Sequence, residues 1–299
     1  MTGKKHMAWL LVAAAAVIWG TMGIWVRGLR EYGLTTMDIV ALRSIGNTVV
    51  MGIGLFVCDR SQLKLHRKDV WCILGTGISS ILLFNACYFT SIEILDLSTA
   101  AVFLYTSPIF VALISAVCFR ERLTWQKCAA VAAAVVGCGL VSGLGTETGH
   151  LNVTGLLIGL GAGLGYALYS IFSRFALRRG YGTLTITFYT FLVAGVCMIP
   201  QCFLGGMTLQ SFASPTFWFL SAGMILLVTT LAYVLYTAGL SRMDNTKAAV
   251  IATVEPVTAS LIGVFLYQET MGAAEIAGVM IVLLSGWLVG RDGRKTEDK

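Results

Sequence analysis

The sequence predicts an all-α integral membrane protein whose ten transmembrane helices form two inverted five-helix repeats. Three observations predict it: apolar runs long enough to cross a bilayer, a one-sided placement of the cations between them, and a gapless internal repeat. Of the 299 residues, 57% are hydrophobic and 12% charged, with mean hydropathy +0.82, against about 25% charge in a soluble domain. A hydrocarbon core of about 30 Å needs about 20 apolar residues per helix, and the charged residues cut this chain into pieces of about that length. Barrel strands alternate apolar and polar over about ten residues; the unbroken apolar runs here are helical.

The first span, Met7 to Val26, follows "MTGKKH". That start is basic like a signal peptide's, yet the segment is full length and leads into nine more spans, so it is expected to stay in the mature protein. Arg27 and Arg30 close it, and Thr36 to Val57 is the second span. Arg60, Lys64, Arg67 and Lys68 separate this from Val70 to Thr90; Leu97 to Cys118 follows, then Arg120, Arg122 and Lys127 around the start of Trp125 to Ser142. The second half repeats the plan with Asn152 to Phe172, Thr183 to Leu204, Thr216 to Gly239, Thr246 to Leu266 and Ala273 to Gly290. Its basic segments are Arg174, Arg178 and Arg179, then Arg242 and Lys247, then Arg291, Arg294, Lys295 and Lys299.

With Lys4 and Lys5 placed inside, every Lys and Arg falls on the inside except Arg27, Arg30 and Arg43. Cytoplasmic loops collect positive charge, so both termini (1–6 and 291–299) are expected in the cytoplasm. The net charge of +6 is thus a topology signal and excludes nucleic acid as a partner. The eight cysteines fall in or beside spans without metal-type spacing, and His6, His66 and His150 lie in loops or at a terminus. Neither a metal nor a cofactor is expected.

The repeat has an offset of 148: "DLSTAAVFLYTSPIFVALISAVCFRE" (Asp96 to Glu121) lies against "DNTKAAVIATVEPVTASLIGVFLYQE" (Asp244 to Glu269). Apolar matches between two membrane helices mean little. The pairs Asp96/Asp244, Pro108/Pro256 and Glu121/Glu269 mean more. Upstream, Tyr88 matches Tyr236, and Arg27 matches Arg174 after a one-residue shift. Five spans per unit is an odd number, so the copies (7–143 and 152–290) are inverted. Inverted repeats with a solute site at their interface are a common plan for secondary transporters.

The repeated AAV, mid-span proline, terminal acid and Gly-bearing fifth helix, with "IWGTMGIWVR" in span 1 and "ALRSIGN" in span 2, resemble the EamA family of the drug/metabolite transporter superfamily. The resemblance runs from about Ala8 to Val289. It implies a multi-pass carrier of the cytoplasmic membrane, with a central cavity lined largely by helices 1, 3, 4, 6, 8 and 9. It leaves the solute open, among amino acids, amines, nucleobases and other metabolites.

Glu255 lies nine residues after Thr246, about 13.5 Å along a helix and near the bilayer middle. Insertion scales put a charge there at about 2.5 to 3.5 kcal/mol, so the carboxylate should face the bundle or a wet cavity. Protonation is another escape, which makes Glu255 a candidate proton carrier or counter-charge for an amine-bearing solute; a structural acid held by backbone or an arginine is the alternative. Ala248, Ala252 and Ala259 share its side of the helix, and Ser107 is its mate in the first copy. Pro256 and Pro108 should free the carbonyls of Ala252 and Leu104, marking either cavity-facing kinks or packing bends.

Asn85, Tyr88, Tyr233 and Tyr236 occupy equivalent places in the two copies and are candidates to hydrogen-bond a polar solute. Trp19, Tyr105, Tyr166 and Tyr169 are candidates for an apolar or cation-binding wall, with core packing the alternative for each. Arg43 reads as structural, snorkelling or pairing with Asp38 or Glu93. Glu121 and Glu269, at span ends, read as structural anchors. Gly155, Gly159 and Gly163 have the spacing of a tight helix contact.

The function expected is alternating-access transport, secondary active or facilitative, of small metabolites such as amino acids or amines. Export is the expected direction, with protons as a possible coupling ion. The alternatives are a uniporter or importer of nucleobases or sugars and a membrane-embedded enzyme. Loops of mostly 5 to 15 residues leave little room for a catalytic face.

Overall fold

The computed structural model describes residues 2–95, 97–142, 153–204 and 213–291. Asp96, the start of span 6 at Asn152, His150 and all but the first residue of the expected terminus 291–299 lie outside them. Among the described residues every regular element is helical. Eight helices are long and apolar enough to cross a membrane: α1 (His6–Arg30), α2 (Thr36–Cys58), α3 (Arg67–Ile94), α4 (Thr99–Phe119), α6 (Val153–Arg178), α8 (Pro215–Leu240), α9 (Asn245–Tyr267) and α10 (Ala273–Gly290). Two shorter apolar helices, α5 (Trp125–Val141) and α7 (Thr183–Cys197), complete ten. Large apolar side chains such as Val57, Val117, Phe203 and Phe265 lie exposed around the bundle, where acyl chains rather than water are the solvent.

Helix packing follows a two-fold pattern. α1, from the first repeat, packs on α8 and α9 of the second; α6, from the second, packs on α3 and α4 of the first. α2 meets α7, and α5 meets α10. Glycines set the closeness of these contacts. A Cβ at Gly137 would stand 3.0 Å from the Gly278 carbonyl oxygen, and one at Gly278 would stand 2.7 Å from that of Gly137. The Gly155, Gly159 and Gly163 face packs on Leu95, Phe103 and the backbone of α4, as its spacing predicts.

Backbone irregularities recur at the repeat's own offset. Gly75–Leu82 in α3 and Gly223–Leu231 in α8 are π-helical, a geometry that collects at functional sites. The widened turns hand carbonyls to side chains: Asn85 Nδ2 donates to Ile81 O at 2.6 Å, Thr229 Oγ1 to Met224 O at 2.9 Å and Thr230 Oγ1 to Ile225 O at 2.8 Å. An aromatic ring from the opposite repeat presses on the first glycine of each: Phe172 of α6 on Gly75, and Trp25 of α1 on Gly223.

α4 and α9 are each broken in mid-membrane. Their first halves end at Leu104 and Ala252, and the second halves start at Ser107 and Val254. Those are the residues whose carbonyls Pro108 and Pro256 deprive of a donor. Both helices finish in left-handed backbone, at Arg120 (φ 56) and Gln268 (φ 57). Span 7 departs from expectation. It ends at Cys197 and resumes as Ile199–Leu204, because Pro200 cannot donate to Val196 and its ring crowds that carbonyl.

Candidate functional site

Four of the singled-out aromatics converge at the middle of the bundle. Trp19 of α1 meets Tyr233 and Tyr236 of α8 at centroid distances of 5.1 and 5.3 Å and Tyr166 of α6 at 6.4 Å. With Ser80, Ile81, Phe84, Tyr169 and Ser170 they line a central cavity of about 20 Å³. That volume holds about one water, so the rings are closed on one another. Ser170 and Tyr236 share a 2.6 Å hydrogen bond, and Tyr169 and Thr237 one of 2.8 Å. Trp19 Nε1 is buried without a partner.

Glu255 stands at the edge of this cluster. Tyr166 donates its hydroxyl to Glu255 Oε2 at 2.8 Å, and no Lys or Arg among the described residues lies in salt-bridge range of the acid. The side chain is only partly buried, and its neighbours Ala248 and Ala252 are buried. α1 reaches this turn through Gly20, where a Cβ would stand 2.8 Å from the Glu255 carbonyl oxygen and 2.5 Å from Thr258 Cβ. A second, wider cavity of about 220 Å³ lies between α4, α5 and α9, lined by Ala101, Tyr105, Val141, Ser142, Pro256, Ala259 and Ser260. Glu255 therefore sits where the two cavities approach, next to the break in α9.

The other singled-out residues separate. Tyr88 stacks on Phe84 at 5.7 Å, beside the central cavity. Asn85 does not line it: its amide serves Ile81 O, and its Oδ1 accepts from Arg43 Nη2 at 3.3 Å. Pro108 is buried in α4 and lines neither cavity. Arg43 does not snorkel and does not meet Asp38 or Glu93. It is 3% exposed, and Asp38 is committed instead to the N-terminus of α2 through Thr35 and to Gln201. Phe84, Ser80 and Ser170 escaped the sequence reading, since a serine or phenylalanine in an apolar run carries no mark of facing inward.

Glu121 and Glu269 behave differently from each other. Glu121 caps α9, accepting from Asn245 N at 2.8 Å and Thr246 Oγ1 at 3.0 Å. Asn245 also holds Ser115 Oγ at 3.0 Å and accepts from Arg174 Nε at 2.6 Å; Arg174 Nη2 also reaches Met243 O. Lys127 Nζ pairs with Asp244 Oδ2 at 2.8 Å. Burial opposes ionisation of Asp244, but Lys127 overcomes it, with help from Lys247 and Arg174, and holds its carboxyl below the usual range. At the other end Glu269 pairs with Arg27 at 3.1 Å, both more than half exposed. Polar ties thus link α4, α5, α6 and α9 at the cation-rich end. The eight cysteines are free, and no metal-type cluster occurs among the described residues.

The family model described as the EamA-like transporter family matches residues 6–143 and again 153–291. The chain belongs to the EamA-like transporter family. As an EamA-family member it is a multi-pass membrane transporter, not an enzyme, with a small-molecule solute and lipid around it. Its relatives carry the same label. An uncharacterized transporter of Archaeoglobus fulgidus is 24% identical, covering 94% of this chain and 95% of its own; the uncharacterized transporter YwfM of Bacillus subtilis is 23% identical over 98% and 96%. The threonine/homoserine exporter RhtA of Escherichia coli K12 is 26% identical over 82% of this chain and 78% of its own. A solved crystal structure superposes with TM-score 0.81 at 17% identity, covering 97% and 98% of the two chains, which speaks for the fold.

Proposed function

We propose that this EamA transporter exports a small amine-bearing metabolite by alternating access, with Glu255 as the counter-charge and coupling group at the central cavity. The observation that carries this reading is a carboxylate with no Lys or Arg of the described residues in salt-bridge range, held by Tyr166 beside a cavity walled by Trp19, Tyr233 and Tyr236. Aromatic faces attract an ammonium by about 0.5 to 2 kcal/mol, and a carboxylate adds charge-assisted hydrogen bonds. A transporter must also reset. A carboxyl that takes up a proton when the amine leaves returns uncharged, and exchange of proton for solute follows from that single group.

In this reading the polar ties around Glu121 close the cation-rich end while the wider cavity beside Pro256 communicates with the opposite side. Repeats 7–143 and 152–290 rock against each other at the breaks in α4 and α9. The protein resides in the cell membrane with both termini cytoplasmic. A unique cysteine at Lys64 would then be shielded from an impermeant thiol reagent added outside, and one at Gly149 would react.

The test is untargeted mass spectrometry of medium and cytosol from cells expressing wild type or Glu255→Gln at matched membrane levels. A small chemical group of metabolites is expected to move outward with wild type and to lose that shift in the variant. Matching profiles for wild type and empty vector would overturn export.

A further inference from the structure

A second charge, the buried guanidinium of Arg43, lies close to the cavity, and no acid among the described residues neutralises it. Arg43 makes one hydrogen bond among the described residues, the 3.3 Å contact to Asn85; its Nε has no partner, and no carboxylate lies in salt-bridge range. A guanidinium carries five donors in a fork that matches a carboxylate. Leaving it buried and uncompensated costs several kcal/mol. Its position ties it to the site: Arg43 holds Asn85, Asn85 holds the Ile81 carbonyl in the π-helical turn, and Ile81 lines the central cavity. Trp19 Nε1 adds another buried donor without an acceptor.

The interior therefore holds a fixed anion and a fixed cation that do not pair with each other, flanking a closed ring of aromatics. A bare amine satisfies Glu255 and leaves Arg43 stranded. A solute bearing both an ammonium and a carboxylate satisfies both. Resting on the amine reading above, we infer that Arg43 is a specificity-determining residue that recognises the carboxylate of a zwitterionic solute once the Trp19 and Tyr233 rings part. The carboxylate also meets the spare Trp19 N–H, and Asn85 orients the guanidinium from behind.

The test uses purified full-length protein in detergent at about pH 6, where α-amines are protonated. Thermal stabilisation is titrated with each of the twenty protein amino acids and with their carboxamides, which keep the amine and lose the anion. Wild type is expected to bind at least one free acid about tenfold or more tighter than its amide. Arg43→Gln should lose that preference and keep its affinity for the amide, Arg43→Lys should keep part of it, and Glu255→Gln should lose both forms. Equal affinity of wild type for acid and amide, with Glu255→Gln abolishing both, overturns the role of Arg43 and leaves the amine reading standing. An Arg43→Gln protein that folds but weakens acid and amide equally also overturns it. If no free acid stabilises wild type, the zwitterion inference falls; binding that survives Glu255→Gln removes the amine reading with it.

Discussion

Trp19 and Tyr166 stand 147 positions apart in the chain and 6.4 Å apart in space, edge to face. They are mates under the repeat, at the one-residue shift that also pairs Arg27 with Arg174 and Trp25 with Phe172. A pseudo-two-fold axis therefore passes between these two rings. The mates differ in chemistry: Tyr166 donates to Glu255, whereas Trp19 Nε1 has no acceptor. The opposite half offers Ser107 where this half has Glu255, so the indole lacks what the phenol has.

Tyr166→Phe removes the only hydrogen bond to the Glu255 side chain among the described residues, at constant ring volume. A hydrogen bond to a charged group is worth about 1.5 to 3 kcal/mol, so solute affinity should fall about tenfold or more with the fold intact. Equilibrium binding to the purified variant checks this, and unchanged affinity would reduce Tyr166 to packing.

Gly223→Ala brings a methyl to 2.0 Å from the Trp25 ring, too close for any rotamer change of the methyl itself. Overpacking costs about 1 to 3 kcal/mol, and the melting temperature in detergent should drop. Trp25→Leu should recover part of the loss in the double variant. Gly75→Ala against Phe172 should behave alike, with 2.3 Å to the ring; a neutral result at both sites would show that the π-helical turns yield freely.

Glu121→Gln keeps the size of the cap on α9 and removes its charge. Ser173 is fully buried, next to Arg174 at the cation-rich end, which makes Ser173→Cys a mild reporter in a background without other accessible thiols. Labelling should be slow in the Glu121 parent and several-fold faster with Gln. Equal rates would mean that the cap does not govern closure.

The Asp244 carboxyl is held below its usual range, so ionisation favours the folded form. That contribution is present at neutral pH and is lost as the pH falls through the depressed value. Lys127→Met should remove about 1 kcal/mol at pH 7, discounted because Asp244 is half exposed. The difference from wild type should shrink in acid, a comparison that melting curves at pH 7 and about pH 3 make directly.

Much of the architecture was legible because lipid enforces it. Span length and the two mid-span prolines each answer to one strong constraint, and the helices break at Leu104 and Ala252 as Pro108 and Pro256 require. The π-helical turns were not legible: Gly75 and Gly223 look like any small residue in an apolar run, and the ring packed on each comes from the other repeat. The contacts of Asn85 and Arg43 were not legible because a membrane helix is apolar all round and periodicity does not say which face meets the cavity. Their true partners, each other and Ile81, come from tertiary packing. Pro200 was overlooked because it lies close enough to a span end to pass for a boundary.

The pairing of Glu255 with Ser107 bears on how such a chain arose. A dimer of two identical five-helix subunits carries every residue twice, so an acid near its axis faces its own copy and two like charges share one site. Joining the halves in one gene frees each to drift alone. Here one half carries a carboxylate and the other a hydroxyl at the matching position, an asymmetry closed to any strictly symmetric dimer.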